Sequence, residues 1–378
     1  MEPGYILRKK YKFEEIAGQG GMAVVWRATL LGDLGFKRTV AIKQMHSHLS
    51  ESQLYVDMFA EEARVGAAIH SPNIPQIYDF IHDDGEYFLV MEWVEGLDLG
   101  SYIRHYAERG IRTRWELVTA IGIGVLRALA AAHERERSSD SVGGAIVHRD
   151  VSPHNILVNT KGVVKLIDFG LSLAEDRTKE LTEPGVVKGK MSYLSPEILI
   201  GKRPSAFSDQ FATGSVLWEA LVGRKLFDGA NDFDVYTKVR NHQVQPLRPL
   251  RRDIPKSLIT VINRALSAQE GERFPSTREM ARNLGIVLKE GKARKDLHEL
   301  LAKTVIEARS SLDLGRRTGE VSTTTPVADL ELLGNREIAA AAEAVRAGPE
   351  AGTTGGEPIV ERQRGLLHRI PFFGRRRR

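Results

Sequence analysis

A single change of hydrophobic period near residue 99 constrains this chain most. Before it, apolar residues alternate as in strands; after it, to about residue 290, they recur at helical spacing. Residues 11–29 read as two strands around the glycine cluster Gly18, Gly20 and Gly21, and 39–45 as a third. Residues 74–82 and 86–93 read as a hairpin about Asp83-Asp84-Gly85. One helix interrupts, over 53–69, with Val56, Phe59, Ala60, Ala63 and Ala67 on one face. Within the helical part, short strands at 156–159 and 163–167 flank a turn at Thr160-Lys161-Gly162. A strand-rich unit followed by a helix-rich one makes an α+β chain of two lobes with a cleft between them.

Composition narrows the chemistry. With no cysteine, disulfide frameworks, thiolate metal sites and a cysteine nucleophile are excluded. A net charge of +5 is too small to argue for nucleic acid, and no sequence-specific binding of it is expected. The most apolar stretch, 117–132, is interrupted by Arg127 and shorter than the ~20 residues that span a bilayer. It reads as a buried core helix, and no transmembrane segment is expected. Residues 1–12 hold no apolar run, so no signal peptide is expected and the reading is cytoplasmic. Residues 135–144 read as a polar surface loop.

Past residue 290 the core pattern fades. Leu297, Leu300, Leu301, Val305 and Ile306 would line one face of an extra helix within 286–312. Residues 313–378, rich in threonine, alanine and glycine, read as a largely disordered tail. That tail ends in interleaved apolar and basic residues, Leu366 to Gly374 and then four arginines, with no acid after Glu361. Such an end suits an anionic membrane surface at the inner face, or an acidic partner.

The polar residues that stand out fall around the expected cleft. Ala17, Gly18, Gln19, Gly20, Gly21, Met22 and Ala23 form a glycine loop that leads into a strand and lacks a following Gly-Lys-Ser/Thr. Taken alone such a cluster is usually a plain turn; its glycines would let backbone N–H groups approach a phosphate. Lys43 sits among apolar neighbours in Val40-Ala41-Ile42-Lys43, where an ammonium is costly unless paired. Glu62, next to the inward Ala63 on the following helix, is the partner expected; Glu61 is the rival and more solvated. His148-Arg149-Asp150, with Asn155 five residues on, and Asp168-Phe169-Gly170 bracket the 156–167 strands. Asp168 and Asn155 offer hard oxygens for Mg²⁺, while Asp150 can take a proton or orient a hydroxyl.

In order and spacing this series resembles the protein kinase signature set, over about residues 11–285, and Gly20-Gly21-Met22 resembles bacterial eukaryotic-like serine/threonine kinases. The resemblance implies a bilobal protein-kinase fold, a small β-rich N-lobe over 11–94 and a larger helical C-lobe over 95–285. It implies ATP and Mg²⁺ (or Mn²⁺) as cofactors and protein substrates, the chain itself included. Lys43 would hold the α- and β-phosphates and pair with Glu62; Asp150 would be the catalytic base. Met91 is similar to the gatekeeper, with Glu92 to Val94 as the hinge. Val25, Ala41 and Leu157 would sandwich the adenine, and Asp98 would reach the ribose. Ser195-Pro196-Glu197 with Arg273, and Asp209, match structural braces of the family.

The chain departs from the family pattern in three places. Ala23 replaces the third glycine of the loop. Ser152 stands where serine/threonine kinases carry lysine, and Lys190 follows Gly189 where they carry threonine. Ammonium and hydroxyl have changed places, so Lys190 joins the expected catalytic set. Arg149 beside Asp150 implies control by a phosphate on the activation segment, with Thr182 and then Thr178 as candidates, and Ser172 and Ser192 behind them. Two rivals stand: a pseudokinase scaffold, and a small-molecule kinase of related fold. The full set of catalytic carboxylates with Lys43 and Asn155 argues against the first, and the structural braces argue against the second.

Overall fold

The computed structural model describes residues 1–134, 146–169 and 191–318. The expected loop at 135–144, and Gly170, Ser172, Thr178, Thr182 and Lys190, lie outside the described residues, as does the chain from 319 onward with its basic end.

The N-lobe is a six-stranded antiparallel sheet in the order β1-β2-β3-β4-β6-β5. Its strands are β1 (Ile6–Leu7), β2 (Tyr11–Gln19), β3 (Ala23–Leu31), β4 (Lys37–Met45), β5 (Ile77–Asp83) and β6 (Glu86–Glu92). The two-residue β1 was not expected. Helix α1 (Gln53–Ala67) packs on β5. Alternation along the strands decides what each face carries. Trp26, Ala28, Val40, Ile42, Phe88 and Val90 turn to one buried cluster, where Phe13 meets Trp26 and Phe88 edge-on. The buried Trp26 indole donates to Gln44 Oε1 at 2.9 Å, so its N–H is not stranded in that core. Val25, Ala41 and Lys43, one register off, belong to the other face.

The hairpin expected over 74–82 and 86–93 begins later, with β5 at Ile77. The preceding residues are occupied elsewhere: Asn73 donates from Nδ2 to Val164 O at 2.8 Å and accepts from Leu166 N at 2.8 Å. They are thereby tied to the other lobe.

In the C-lobe, β7 (Gly96–Asp98), β8 (Ile156–Asn159) and β9 (Val164–Leu166) form a small antiparallel sheet. Around it stand α2 (Leu99–Glu108), α3 (Trp115–His133), α4 (Ala206–Val222), α5 (Asp232–Arg240), α6 (Lys256–Ala265), α7 (Thr277–Glu290) and α8 (Leu297–Thr318). Helix α3 has the length and apolarity of a membrane span, but most of it is buried in this lobe, as a core helix should be. Helix α4 is buried on nearly every side, begins with a capping box at Ser205 and Ser208, and ends on Gly223 in the left-handed region at φ 86°. Its first turn delivers the buried Asp209 to the cleft.

The last helix differs from expectation. It starts at Leu297, after α7 has closed at Glu290, and runs past residue 312 to Thr318. Its buried stripe is Leu297, Leu301, Val305 and Ala308, whereas Leu300 is half-buried and Ile306 is exposed.

Candidate active site

The cleft side of β4 presents Lys43, and the pairing expected from sequence is made. Its Nζ lies 2.7 Å from Glu62 Oε1 and 2.9 Å from Asp168 Oδ1. Burial pushes the ammonium toward neutrality, but the Asp168 and Glu62 carboxylates outweigh it, and the pKa is raised. The same ammonium outweighs the burial of Asp168 and holds its carboxyl below the usual range. For Glu62 burial wins, and its carboxyl is pushed up. Glu61 instead faces outward and pairs with Arg64.

Asp168 follows β9 with φ 53°, a left-handed conformation that a non-glycine residue adopts at a cost of roughly 1 kcal/mol or more. Phe169 is buried in the C-lobe core against the His148 ring, 4.8 Å between centroids, so the Asp168 carboxylate is turned toward Lys43.

The loop from His148 to Asn155, the expected catalytic loop, is held from beneath by one buried carboxylate. Asp209 accepts from His148 N at 2.8 Å, Arg149 N at 2.9 Å and His133 Nε2 at 2.8 Å. These bonds fix Arg149 at φ 68°. Burial lowers the pKa of His148. As a neutral ring it donates from Nε2 to Ile167 O at 3.0 Å and accepts at Nδ1 from Asp150 N at 3.3 Å. Asn155 donates from Nδ2 to Asp150 O at 2.8 Å and Asp150 Oδ2 at 3.0 Å. That leaves the amide oxygen of Asn155 as the group able to join Asp168 in binding a hard cation. The donor set fits Mg²⁺.

The expected adenine wall is laid out by register. Val25 pairs with Lys43, Ala41 with Met91 and Asp98 with Leu157. Ile156 and Val158 belong to the C-lobe core while Leu157 does not, as for Val25 and Ala41 above. Met91 packs against the cluster under α1. Glu92 uses its carboxylate to accept from Lys165 Nζ at 2.7 Å and Gln76 N at 3.2 Å. Val94 follows in the linker. In the glycine loop, Gly20 N donates to Ala23 O at 2.9 Å, and His46 N to Met22 O at 3.0 Å. A Cβ at Gly18 or Gly21 would meet no protein atom within 4 Å, so the space over that backbone is open to a ligand. Ala17 and Gln19 end β2 beside it. Asp98 caps α2 by accepting from Ser101 N at 2.9 Å, and lies 3.2 Å from His154 Nδ1.

Two positioning residues were missed. Lys165, buried in β9, ties the hinge residue Glu92 and Ile74 O to the C-lobe, and Asn73 ties the same loop beside it. An inward lysine within Val164-Lys165-Leu166 is the same signal that singled out Lys43. Among the phosphorylation candidates Ser192 is a correction. It is buried in the turn Met191–Tyr193, closed to any kinase in this fold. Ser152 is also buried. Farther out, Arg273 makes a bidentate pair with Glu197 at 2.6 and 2.8 Å, wholly inside the lobe.

The family model of the protein kinase domain matches residues 11–283. The chain belongs to the protein kinase family. Its relatives include the tyrosine-protein kinase MasK of Myxococcus xanthus, 36% identical over 272 residues, 72% of this chain and 42% of that protein. The probable serine/threonine-protein kinase PknB of Lactococcus lactis is 32% identical over 282 residues, 74% of this chain and 42% of that protein. The serine/threonine-protein kinase PrkC of Bacillus subtilis is 31% identical over 271 residues, 72% of this chain and 39% of that protein. The chain thus resembles bacterial eukaryotic-like serine/threonine kinases and spans about two fifths of the length of these relatives. The crystal structure of the Mycobacterium tuberculosis PknI kinase domain shares the fold, with a TM-score of 0.55 and 24% identity, covering 76% of this chain and 99% of that one.

Proposed function

We propose that this chain is an active protein kinase that transfers the terminal phosphoryl group of ATP to serine and threonine hydroxyls of proteins, itself included. The observation that carries the reading is Lys43 held at once by Glu62 and Asp168. A pseudokinase scaffold has no need of that arrangement together with Asp150 and Asn155. Asp168 and Asn155 would hold Mg²⁺, or Mn²⁺ on the same oxygens, which would supply charge neutralisation on the phosphates. Lys43 orients the α- and β-phosphates, and the glycine loop covers them with backbone N–H groups. Asp150 orients the acceptor hydroxyl and takes its proton as the new O–P bond forms and the bond to ADP breaks. Val25, Ala41 and Leu157 enclose the adenine, backbone groups of Glu92 to Val94 meet its edge, and Asp98 meets the ribose.

Ser152 leaves the γ-phosphate without the usual lysine, and Lys190 is the cation that would replace it from the activation segment. Thr182, with Thr178 second, would carry the phosphate that pairs with Arg149. The basic end of the tail would hold the kinase at an anionic membrane surface or an acidic partner. A second reading adds tyrosine as acceptor, favoured by the missing lysine and by the name of the tyrosine-protein kinase relative. Incubation with labelled ATP and Mg²⁺, alone and with a generic protein substrate, followed by phosphoamino-acid analysis, tests both. Label on serine or threonine that vanishes in Asp150→Asn is expected. Label on tyrosine alone would replace the first reading by the second, and no label would return the chain to the scaffold class.

A further inference from the structure

Helix α8 begins beyond the matched kinase region, yet its apolar stripe is part of the buried C-lobe core. Leu301, Val305 and Ala308 are buried against β7, β8, α2 and α3. Three sets of polar contacts fix its register. At its start His298 Nδ1 lies 3.1 Å from Gly162 O in the β8–β9 turn. A Cβ on Gly162, already at φ 75°, would lie 2.1 Å from His298 O, so only glycine allows the helix this close. In the middle, Thr304 receives the Tyr102 hydroxyl on Oγ1 at 3.2 Å and the Tyr106 hydroxyl on its carbonyl oxygen at 3.0 Å. Toward the end, Arg109 donates to Ser311 Oγ at 2.8 Å, and Arg309 forms an ion pair with Glu95.

That ion pair reaches the hinge. Glu95 Oε2 accepts from Trp93 Nε1 at 2.6 Å, and the Arg27 guanidinium of β3 lies 6.0 Å from the Trp93 ring centre. Arg27 is held in turn by Glu14 and Glu15 of β2, at 3.0 and 3.3 Å. A continuous series of charge and ring contacts therefore runs from α8 across the hinge to the N-lobe sheet. Partial burial pushes the Glu95 carboxyl up, but Trp93, Arg309 and Arg27 outweigh it and hold it below its ordinary value. The strands that α8 supports, β7 and β8, carry Asp98 and Leu157, the ribose and adenine residues of the proposed site.

We propose that α8 is a working part of the nucleotide site: it braces the hinge and the β7–β8 floor from outside, and Arg309, acting through Glu95 and Trp93, is a positioning residue that sets nucleotide affinity. The inference rests on the kinase reading for its ligand, so its test reads binding separately from turnover. The full chain and two variants, Arg309→Glu and the charge exchange Glu95→Arg with Arg309→Glu, are titrated with Mg-ADP by calorimetry, and kcat and KM for ATP are measured in parallel. A half-exposed ion pair contributes up to about 1 kcal/mol, so its reversal should weaken ADP binding and raise KM about fivefold. A purely structural role would lower kcat or melting temperature instead; here kcat should stay within about twofold. The exchange restores the ion pair but not the Trp93 bond, since arginine accepts no hydrogen bond, so it should recover only part of the lost affinity. Should Arg309→Glu not fold, Glu95→Gln carries the test with about a twofold weakening expected. Wild-type affinity in the single variants, or an exchange no better than Arg309→Glu, overturns the brace. If the wild type binds Mg-ADP but transfers no phosphate, the proposed activity falls while the binding series still decides the brace; if it binds no nucleotide, both fall.

Discussion

Replacing Asp209 by asparagine should disable the catalytic loop without touching a residue that meets substrate. The carboxylate accepts two backbone N–H groups, one on each oxygen, and the His133 ring nitrogen besides. Asparagine has one acceptor oxygen. Whichever way its amide is turned, the NH₂ faces either His148 N or Arg149 N, and that buried donor loses its partner. Hydrogen bonds to a charged group contribute about 1.5–3 kcal/mol each, and an orphaned buried donor costs about 1–3 kcal/mol, so a loss of about 2–4 kcal/mol is expected. For a domain of this size that corresponds to a fall of roughly 5–10 °C in melting temperature. Arg149 would also be released from φ 68°, a conformation costing roughly 1–3 kcal/mol. Relaxation there moves Asp150, its immediate neighbour, and a displacement of about 1 Å is worth roughly 100-fold in rate. Thermal melting and autophosphorylation of the full chain measure the two effects. A variant that melts within about 2 °C of wild type and turns over within about twofold would refute the bracing role.

Three further outcomes are expected. Lys43→Met should lower phosphoryl transfer by at least about 100-fold while the circular dichroism spectrum stays native; retained activity would remove Lys43 from the site. Burial pushes the Glu197 carboxyl up, but Arg273 outweighs it and leaves the pKa lowered. The stability this pair contributes is therefore whole above the unfolded pKa and lost as pH falls through the lower folded one. Glu197→Gln should be about 3–5 kcal/mol less stable at pH 7 and show a flatter acid limb in denaturant titrations, and equal acid limbs would contradict the pairing. Lys190→Ala should cut turnover strongly, and Ser152→Lys with Lys190→Thr should recover most of it; an active Lys190→Ala enzyme makes the exchange a drift without consequence.

What could be read from sequence was whatever chemistry or periodicity imposes locally. Lys43 stood out because an ammonium in an apolar strand needs a partner, and the Phe59 and Ala63 spacing chose Glu62 over Glu61. Lys165 carried the same signal and was overlooked, because β9 is only three residues long and offers little alternation to mark its inward face. β7 was invisible for a different reason: Gly96–Asp98 becomes a strand only by pairing with β8, about sixty residues on, and that pairing also sets Asp98 opposite Leu157. The start of β5 was misplaced because Asn73 and Ile74 answer to distant partners in β9 rather than to their neighbours.

The last helix makes the same point about faces. Hydrophobicity alone favoured Ile306 and passed over Ala308, but the buried stripe is Leu297, Leu301, Val305 and Ala308, with Leu300 partly buried against the same core. Alanine adds little apolar weight to a pattern, yet a small side chain at the contact lets a helix approach its neighbour closely. At Ala308 that closeness brings the adjacent Arg309 within reach of Glu95. A larger residue at 308 should therefore act on the hinge as well as on packing. Ala308→Leu is expected to cost about 1–3 kcal/mol of stability through overpacking. It should also raise the KM for ATP in the manner of Arg309→Glu, since the helix must move outward to accommodate it. A variant destabilised to that extent with an unchanged KM would show that packing at 308 and the Arg309 contact are independent, and would confine the effect of α8 to stability.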